Sequence, residues 1–338
     1  MTTAVTANPA ELRGKRLARI DWVTRRPEWM GKVADLSTFT GFALAISPHV
    51  TGRLFATACF LLLACGGQAV FGYAWNDVCD ADVDVRAGKT RPRQELSKRI
   101  AFVALSFAAA AYVAAARLSP GLLAIAIAAI AVSWAYSGTP LRLKERGVLG
   151  LFAGAVAQRT LPGVFGAVAF DLSFPRAVPW LVWMTCWGLR GMVVHQVEDA
   201  ENDRMSGLTT WAAGPKVQPR PRRLMAAVVP LEALSFVVAF VPLLGARSVL
   251  IAGGFALAGW LVLTAGMIQR FGRLNWFSFN QMPLESLYAL FAPMVVAVAL
   301  LRLGNWVAPA WVALDATLRT SLVGPKFQAF RQGVPYRD

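Results

Sequence analysis

The chain has 338 residues, is 56% hydrophobic and only 16% charged, and carries a formal net charge of +15. Its mean hydropathy is +0.49. Soluble domains average about 25% charged residues, so an ordinary soluble domain is excluded. Apolar stretches of about 20 residues recur along the sequence, the length an α-helix needs to cross a bilayer. A transmembrane β-barrel would need short alternating segments, and these runs do not alternate. The composition therefore predicts an all-α, polytopic membrane protein.

The N-terminal segment, residues 1–33, is basic and polar. It lacks the apolar core and cleavage pattern of a signal peptide. Within it, NPAELRGKRLARIDWV predicts a surface helix, with Asn8 as N-cap, Pro9 at the first helical position and Glu11 at the third. Leu12, Leu17, Ile20 and Val23 would lie on lipid, with the arginines toward headgroups. Nine spans follow, making a membrane domain over 34–301. They are expected near 34–48, 54–76, 99–116, 119–137, 148–169, 177–196, 224–243, 248–269 and 282–301. The tail, 302–338, contains one further apolar stretch, 306–318, that is short for a span.

Loop charge gives the orientation. Segments 1–33, 77–99, 138–147, 197–223 and 270–281 hold 7, 6, 3, 5 and 2 lysines and arginines, whereas the alternate loops hold one each: Arg53, Arg117, Arg176 and Arg247. The positive-inside rule places the N-terminus and every basic loop in the cytoplasm, as for a protein of the cell inner membrane. The net charge then reflects topology and attraction to anionic lipid. It does not indicate a nucleic-acid partner, because the basic residues are scattered over separate loops. Cys59, Cys65, Cys79 and Cys186 form no CxxC pair and read as small buried hydrophobes.

The second span ends in YAWNDVCDADVD. If its helix continues beyond the membrane edge, Asp77, Asp80 and Asp84 share one face, after Asn76, while Asp82 points elsewhere. Three stacked carboxylates repel one another unless a cation holds them. Hard oxygen ligands suit Mg²⁺, which typically takes one or two carboxylates together with phosphate oxygens. The sixth span ends in a second cluster, HQVEDAENDRMSG, where His195, Asp199 and Asp203 share a face. Asp80 to Asp199 and Asp84 to Asp203 are each 119 residues apart, which hints at an internal repeat. Cations accompany these motifs. VRAGKTRPRQ, with Lys89 and Arg91, follows the first. YSGTPLRLKERG, with Tyr136, Arg142 and Lys144, ends the fourth span. Such side chains suit phosphate oxygens. Together these features point to a lipid-soluble diphosphate and to ionisation of an allylic C–O bond, with metal and cations stabilising the leaving diphosphate. Aromatic faces such as Tyr73, Trp75, Trp134, Trp183 and Trp187 are candidates to shelter an allylic carbocation.

On these motifs the sequence resembles the UbiA superfamily of intramembrane prenyltransferases. NDxxDxxxD is matched by Asn76, Asp77, Asp80 and Asp84, and KTRP resembles its usual continuation. DAENDRMSG is similar to the second DxxxD motif, with Asp199, Asp203 and Gly207. YSGTPLRLKERG resembles the central tyrosine-to-lysine element in its chlorophyll-synthase-like form, and RRPEW fits ahead of the first span. The resemblance implies nine helices around a central cavity, capped on the cytoplasmic side. It implies Mg²⁺ held by Asp77, Asp80, Asp199 and Asp203 with Asp84 assisting, and diphosphate or metal contacts from Asn76, Lys89, Arg91, Tyr136, Arg142 and Lys144. The substrates would be a prenyl diphosphate and an aromatic or other lipophilic acceptor. Arg142 stands where relatives often carry lysine, replacing a point charge by a fork.

Arg159, Arg190 and His195 are ionisable residues within predicted spans. Such residues are functional candidates. His195 either takes a proton from an acceptor or carbocation, or orients Asp199. Arg159 and Arg190 either meet an acidic acceptor or the motif aspartates, or form buried structural pairs. A terpene cyclase on the same fold would need the same motifs but no second substrate. A transporter built on an internal repeat would instead place polar groups near the membrane midplane, and here the acidic clusters lie at its edge.

Overall fold

A computed structural model describes residues 51–86, 94–205, 207–213, 220–245, 292–301 and 306–318, with isolated positions within 36–45 and 250–261 and at 288 and 304. The expected N-terminal surface helix, Lys89, Arg91, most of the predicted spans at 34–48 and 248–269 and the end of the tail lie outside the described residues. Among the described residues there is no strand.

The helices in chain order are α1 (Gly52–Cys79), α2 (Ala81–Arg86), α3 (Gln94–Leu118), α4 (Leu122–Ser137), α5 (Val148–Ala155), α6 (Leu161–Ala169), α7 (Phe174–Met205), α8 (Arg220–Leu244), α9 (Ala292–Leu301) and α10 (Val307–Leu318). A π-helical turn, Val156–Thr160, joins α5 to α6 without a break. Pro162 has no N–H to return to the Gln158 carbonyl, and the wide turn falls where that bond is missing. Among the described residues, four helical stretches are long and apolar enough to cross a bilayer: α1, α3, the α5–α6 rod over Val148–Ala169, and α7 as far as Val197. They coincide with the spans predicted near 54–76, 99–116, 148–169 and 177–196. The short stretch 306–318 forms α10.

α1 packs along α3, and α7 packs along α8 and against α5 and the π turn. Bare apolar burial drives little association inside lipid, so close backbone approach and buried polar ties carry specificity there. Both are visible. A Cβ on Gly188 of α7 would lie 2.9 Å from the Ala155 carbonyl oxygen, so only glycine permits that crossing. In α1, Gln68 is buried and fully engaged. Its nitrogen donates to Ser133 Oγ at 3.0 Å and to the Ala129 carbonyl at 3.3 Å, and its oxygen accepts from the Tyr112 hydroxyl. This triad ties α1 to α3 and α4.

The core includes an aromatic ladder. Trp180, Trp183 and Trp187 recur at spacings of three and four on one face of α7 and are all buried. Phe42 stacks on Trp180 at 4.4 Å between centroids, Trp183 on Trp187 at 5.5 Å, and Tyr288 lies 4.8 Å from Trp187.

Candidate functional site

The first acidic motif lies at the C-terminal end of α1. Asp80 caps that helix with a non-helical backbone (φ −102°, ψ 6°). The hydrogen-bond ladder continues through it: Asp80 N–H donates to the Asn76 carbonyl at 2.9 Å, and Asp84 N–H to the Asp80 carbonyl at 2.8 Å. The helical register therefore carries on into α2. Asp77, Asp80 and Asp84 are all buried while Asp82 is exposed.

The central element follows α4 and folds over this motif. Lys144 is buried, donating to Asn76 Oδ1 at 2.9 Å and pairing with Asp80. Ser137 Oγ donates to the same Asn76 oxygen at 2.7 Å. Arg142 adopts the left-handed backbone region (φ 35°), which costs a non-glycine residue about 1–2 kcal/mol. Its side chain over-determines that conformation: Nε donates to Glu145 at 2.7 Å, Nη1 to the Cys79 carbonyl at 3.2 Å and Nη2 to Asp80 at 3.2 Å. Partial burial works to lower the Arg142 pKa, but the hydrogen bond and charge of Glu145, reinforced by Asp80, outweigh it and hold the guanidinium above its ordinary value. Asp80 is thus gripped by two fixed cations, one of them the fork that replaces a point charge.

The second motif closes α7. Gly207 takes the left-handed conformation (φ 74°), and the N–H of Leu208 returns to the Asp203 carbonyl at 2.8 Å, a glycine-terminated helix end. The chain then folds back. Thr210 donates to Asp203 Oδ2 at 2.7 Å, and Arg204 donates to the carbonyls of Ala213 and Ala212 at 3.1 and 3.3 Å. Asp203 is buried, and Asp199 is partly exposed. His195 is 63% exposed, with Nε2 3.7 Å from Asp199 Oδ2.

Tyr136, the last aromatic of α4, links the halves. Its hydroxyl lies within electrostatic reach of Asp80 from the first motif and of Asp199 and Asp203 from the second, and Gln196 faces it. Tyr136, Asn76, Asp80, Arg142 and Lys144 thus gather at one end of the bundle, with Asp199 and Asp203 nearby. Among the described residues no three carboxylate, thiol or imidazole groups close into a preformed metal cage.

The span arginines lie elsewhere. Arg190 and Glu232 form a fork-to-carboxylate pair at 2.8 and 3.0 Å, with both side chains fully buried. Arg159, in the π turn, holds its guanidinium 4.0 Å over the Trp187 ring. Sequence reasoning did not foresee Glu232, Ser137, Glu145 or Thr210. Glu232 alone left a signal, as the one carboxylate within the seventh predicted span.

A family model described as the UbiA prenyltransferase family matches residues 35–287. No curated protein matches the chain significantly. Among solved structures, the fold is similar to the apo structure of a UbiA homolog from Aeropyrum pernix K1, with a TM-score of 0.52 and 18% identity, covering 81% of this chain and 98% of that one. A UbiA homolog from Archaeoglobus fulgidus bound to DMAPP and Mg2+ gives a TM-score of 0.49 at 15% identity, covering 89% and 96%. With both acidic motifs within electrostatic reach of Tyr136 and a family match over most of its length, this integral membrane protein belongs to the UbiA prenyltransferase family.

Proposed function

We propose that the protein is a Mg²⁺-dependent intramembrane prenyltransferase. It moves an isoprenoid chain from a prenyl diphosphate to an aromatic or other lipophilic acceptor and releases diphosphate. The observation that carries this reading is that Tyr136 lies within electrostatic reach both of Asp80, with its grip of Lys144 and Arg142, and of the carboxylates Asp199 and Asp203.

The donor set fits the metal. The carboxylates Asp77, Asp80, Asp84, Asp199 and Asp203 offer hard oxygens, and they stand apart instead of closing a cage. Mg²⁺ is commonly held by one or two carboxylates, with substrate phosphates and waters completing its octahedron. Once bound, it would draw negative charge from the departing diphosphate.

The chain's own residues then have separable tasks. Lys144 and Arg142 offer cationic donors to the diphosphate, and Asp80 orients both. Asn76, fixed by Ser137 and Lys144, braces the lysine. Tyr136 supplies a neutral hydroxyl between the motifs. Lys89 and Arg91, which follow α2 in the sequence, add cations. Ionisation of the allylic C–O bond leaves a carbocation that the acceptor attacks, and the resulting cationic adduct then loses a proton. His195, beside Asp199 and open to solvent, is placed to accept a proton at Nε2. The aromatic ladder lies along α7 below the motif, with Trp187 twelve residues before Asp199, about 18 Å along the helix axis. One face of Trp187 already carries the Arg159 cation, and the Arg190 guanidinium lies 5.9 Å over the Tyr288 ring, so Trp183 is the better candidate to line the isoprenoid path. The motif end and the N-terminus face the cytoplasm, with the protein in a cell inner membrane, a reading that the loop charge supports.

The test is diphosphate release by the purified protein in detergent, with Mg²⁺ and a panel of prenyl diphosphates, beside Asp77→Ala and Asp199→Ala. Release that awaits a membrane extract and is lost in both variants supports the transferase. Release without acceptor, giving a cyclic product, replaces it with a cyclase. Failure to bind any donor sinks the reading.

A further inference from the structure

Two glutamine side chains are buried among the described residues, Gln68 and Gln196, each 4% exposed. They differ sharply in their partners. Gln68 has both ends of its carboxamide engaged. Gln196 does not: one end approaches the Tyr136 hydroxyl, and neither its nitrogen nor its oxygen makes a well-formed hydrogen bond although both are buried. A buried amide left unpaired destabilises the folded chain, and buried groups in that condition call for a specific explanation.

Its place supplies one. Gln196 precedes Asp199 by three residues and Asp203 by seven, so the three share a face of α7. The carboxamide is directed at the Tyr136 hydroxyl, which itself lies within reach of Asp80, Asp199 and Asp203. A lysine or arginine there would collapse onto a neighbouring aspartate, and a glutamate would repel an anion. A serine or threonine would satisfy itself on the carbonyl one turn back. A neutral amide stays open, with one donor end and one acceptor end.

We propose that Gln196 is a further substrate-binding residue. Its nitrogen donates to a non-bridging oxygen of the diphosphate, and its oxygen accepts from a water carried by the accompanying metal. The assignment rests on the diphosphate reading above, and names a residue outside both acidic motifs and the tyrosine-to-lysine element. Apart from its approach to the Tyr136 hydroxyl, the amide gains its partners on binding.

The probe is inorganic pyrophosphate with Mg²⁺, titrated calorimetrically into the detergent-solubilised full chain, alongside the ligand-free melting temperature. Gln196→Met keeps the length and removes both polar atoms. Hydrogen bonds to charged groups are the strong ones, so this variant is expected to bind pyrophosphate about tenfold more weakly or worse. Its ligand-free melting temperature should rise, because an orphaned amide has been removed. Gln196→Asn, which keeps the carboxamide one methylene short, should bind with intermediate affinity. Pyrophosphate binding by Gln196→Met within twofold of the original overturns the assignment. So does a fall in its ligand-free melting temperature, which would mean the amide already has structural partners. If the unaltered protein binds no pyrophosphate with Mg²⁺, the diphosphate reading itself fails, before any variant is compared.

Discussion

Replacing Lys144 with methionine removes a charge and almost no volume. The Lys144 and Asp80 side chains are only 7% and 10% exposed, so the pair is largely shielded from water. Two unit charges about 4 Å apart attract by about 4 kcal/mol at an effective dielectric constant of 20. Arg142 stays at 3.2 Å from the same carboxylate and returns part of that. Loss of one partner from a buried pair typically costs 3–5 kcal/mol, so the lower end, about 3 kcal/mol, is expected here. The cost arises from the stranded aspartate, not from a missing attraction in the abstract. Lys144→Met combined with Asp80→Asn should therefore be more stable than the sum of the single changes predicts, by about 2 kcal/mol. Unfolding in mixed micelles with increasing SDS measures all four corners of this cycle. Additivity to within about 0.5 kcal/mol would refute the reasoning, since independent sites add to that precision. Pyrophosphate affinity should fall in both lysine variants, because stability is recoverable by removing Asp80 but the donated charge is not.

Two further outcomes follow from the same physics. Arg190→Met strands Glu232 in a fully buried position and should lower stability by about 3–5 kcal/mol, whereas Arg190→Met with Glu232→Leu should recover most of the loss; SDS titration reads both. His195→Ala removes a largely exposed contact 3.7 Å from Asp199, of the kind worth about 0–1 kcal/mol. It should lower the rate of diphosphate release by no more than about fivefold, because C–O ionisation precedes the proton transfer assigned to Nε2, and a loss of a hundredfold or more would place the imidazole at the ionisation step instead.

The acidic motifs were legible because their signal is local. A spacing of three and four residues fixes one face of one helix, whatever that helix packs against, and the ladder through Asp80 preserves that face across the junction of α1 and α2. The four spans were legible because hydropathy over some 20 residues leaves little choice. Partners across helices were not. Nothing in the order of residues says that Arg190 meets Glu232, 42 positions away, rather than an acidic substrate or a motif aspartate. Hydropathy registers such charges as defects in a span, and only packing assigns the pair. The same blindness hid Gln196. In the sequence, Gln68 and Gln196 are equivalent intrusions of an amide into an apolar helix. The fold separates them by what surrounds each one. Gln68 meets Tyr112 and Ser133 from two neighbouring helices, so its amide stitches the bundle and is complete without ligand. Gln196 meets a lone hydroxyl and a field of carboxylates, so its amide is complete only when an anion and its cations arrive. A polar residue inside a span thus declares that something must satisfy it, and the surrounding helices determine whether that something is the protein or the substrate.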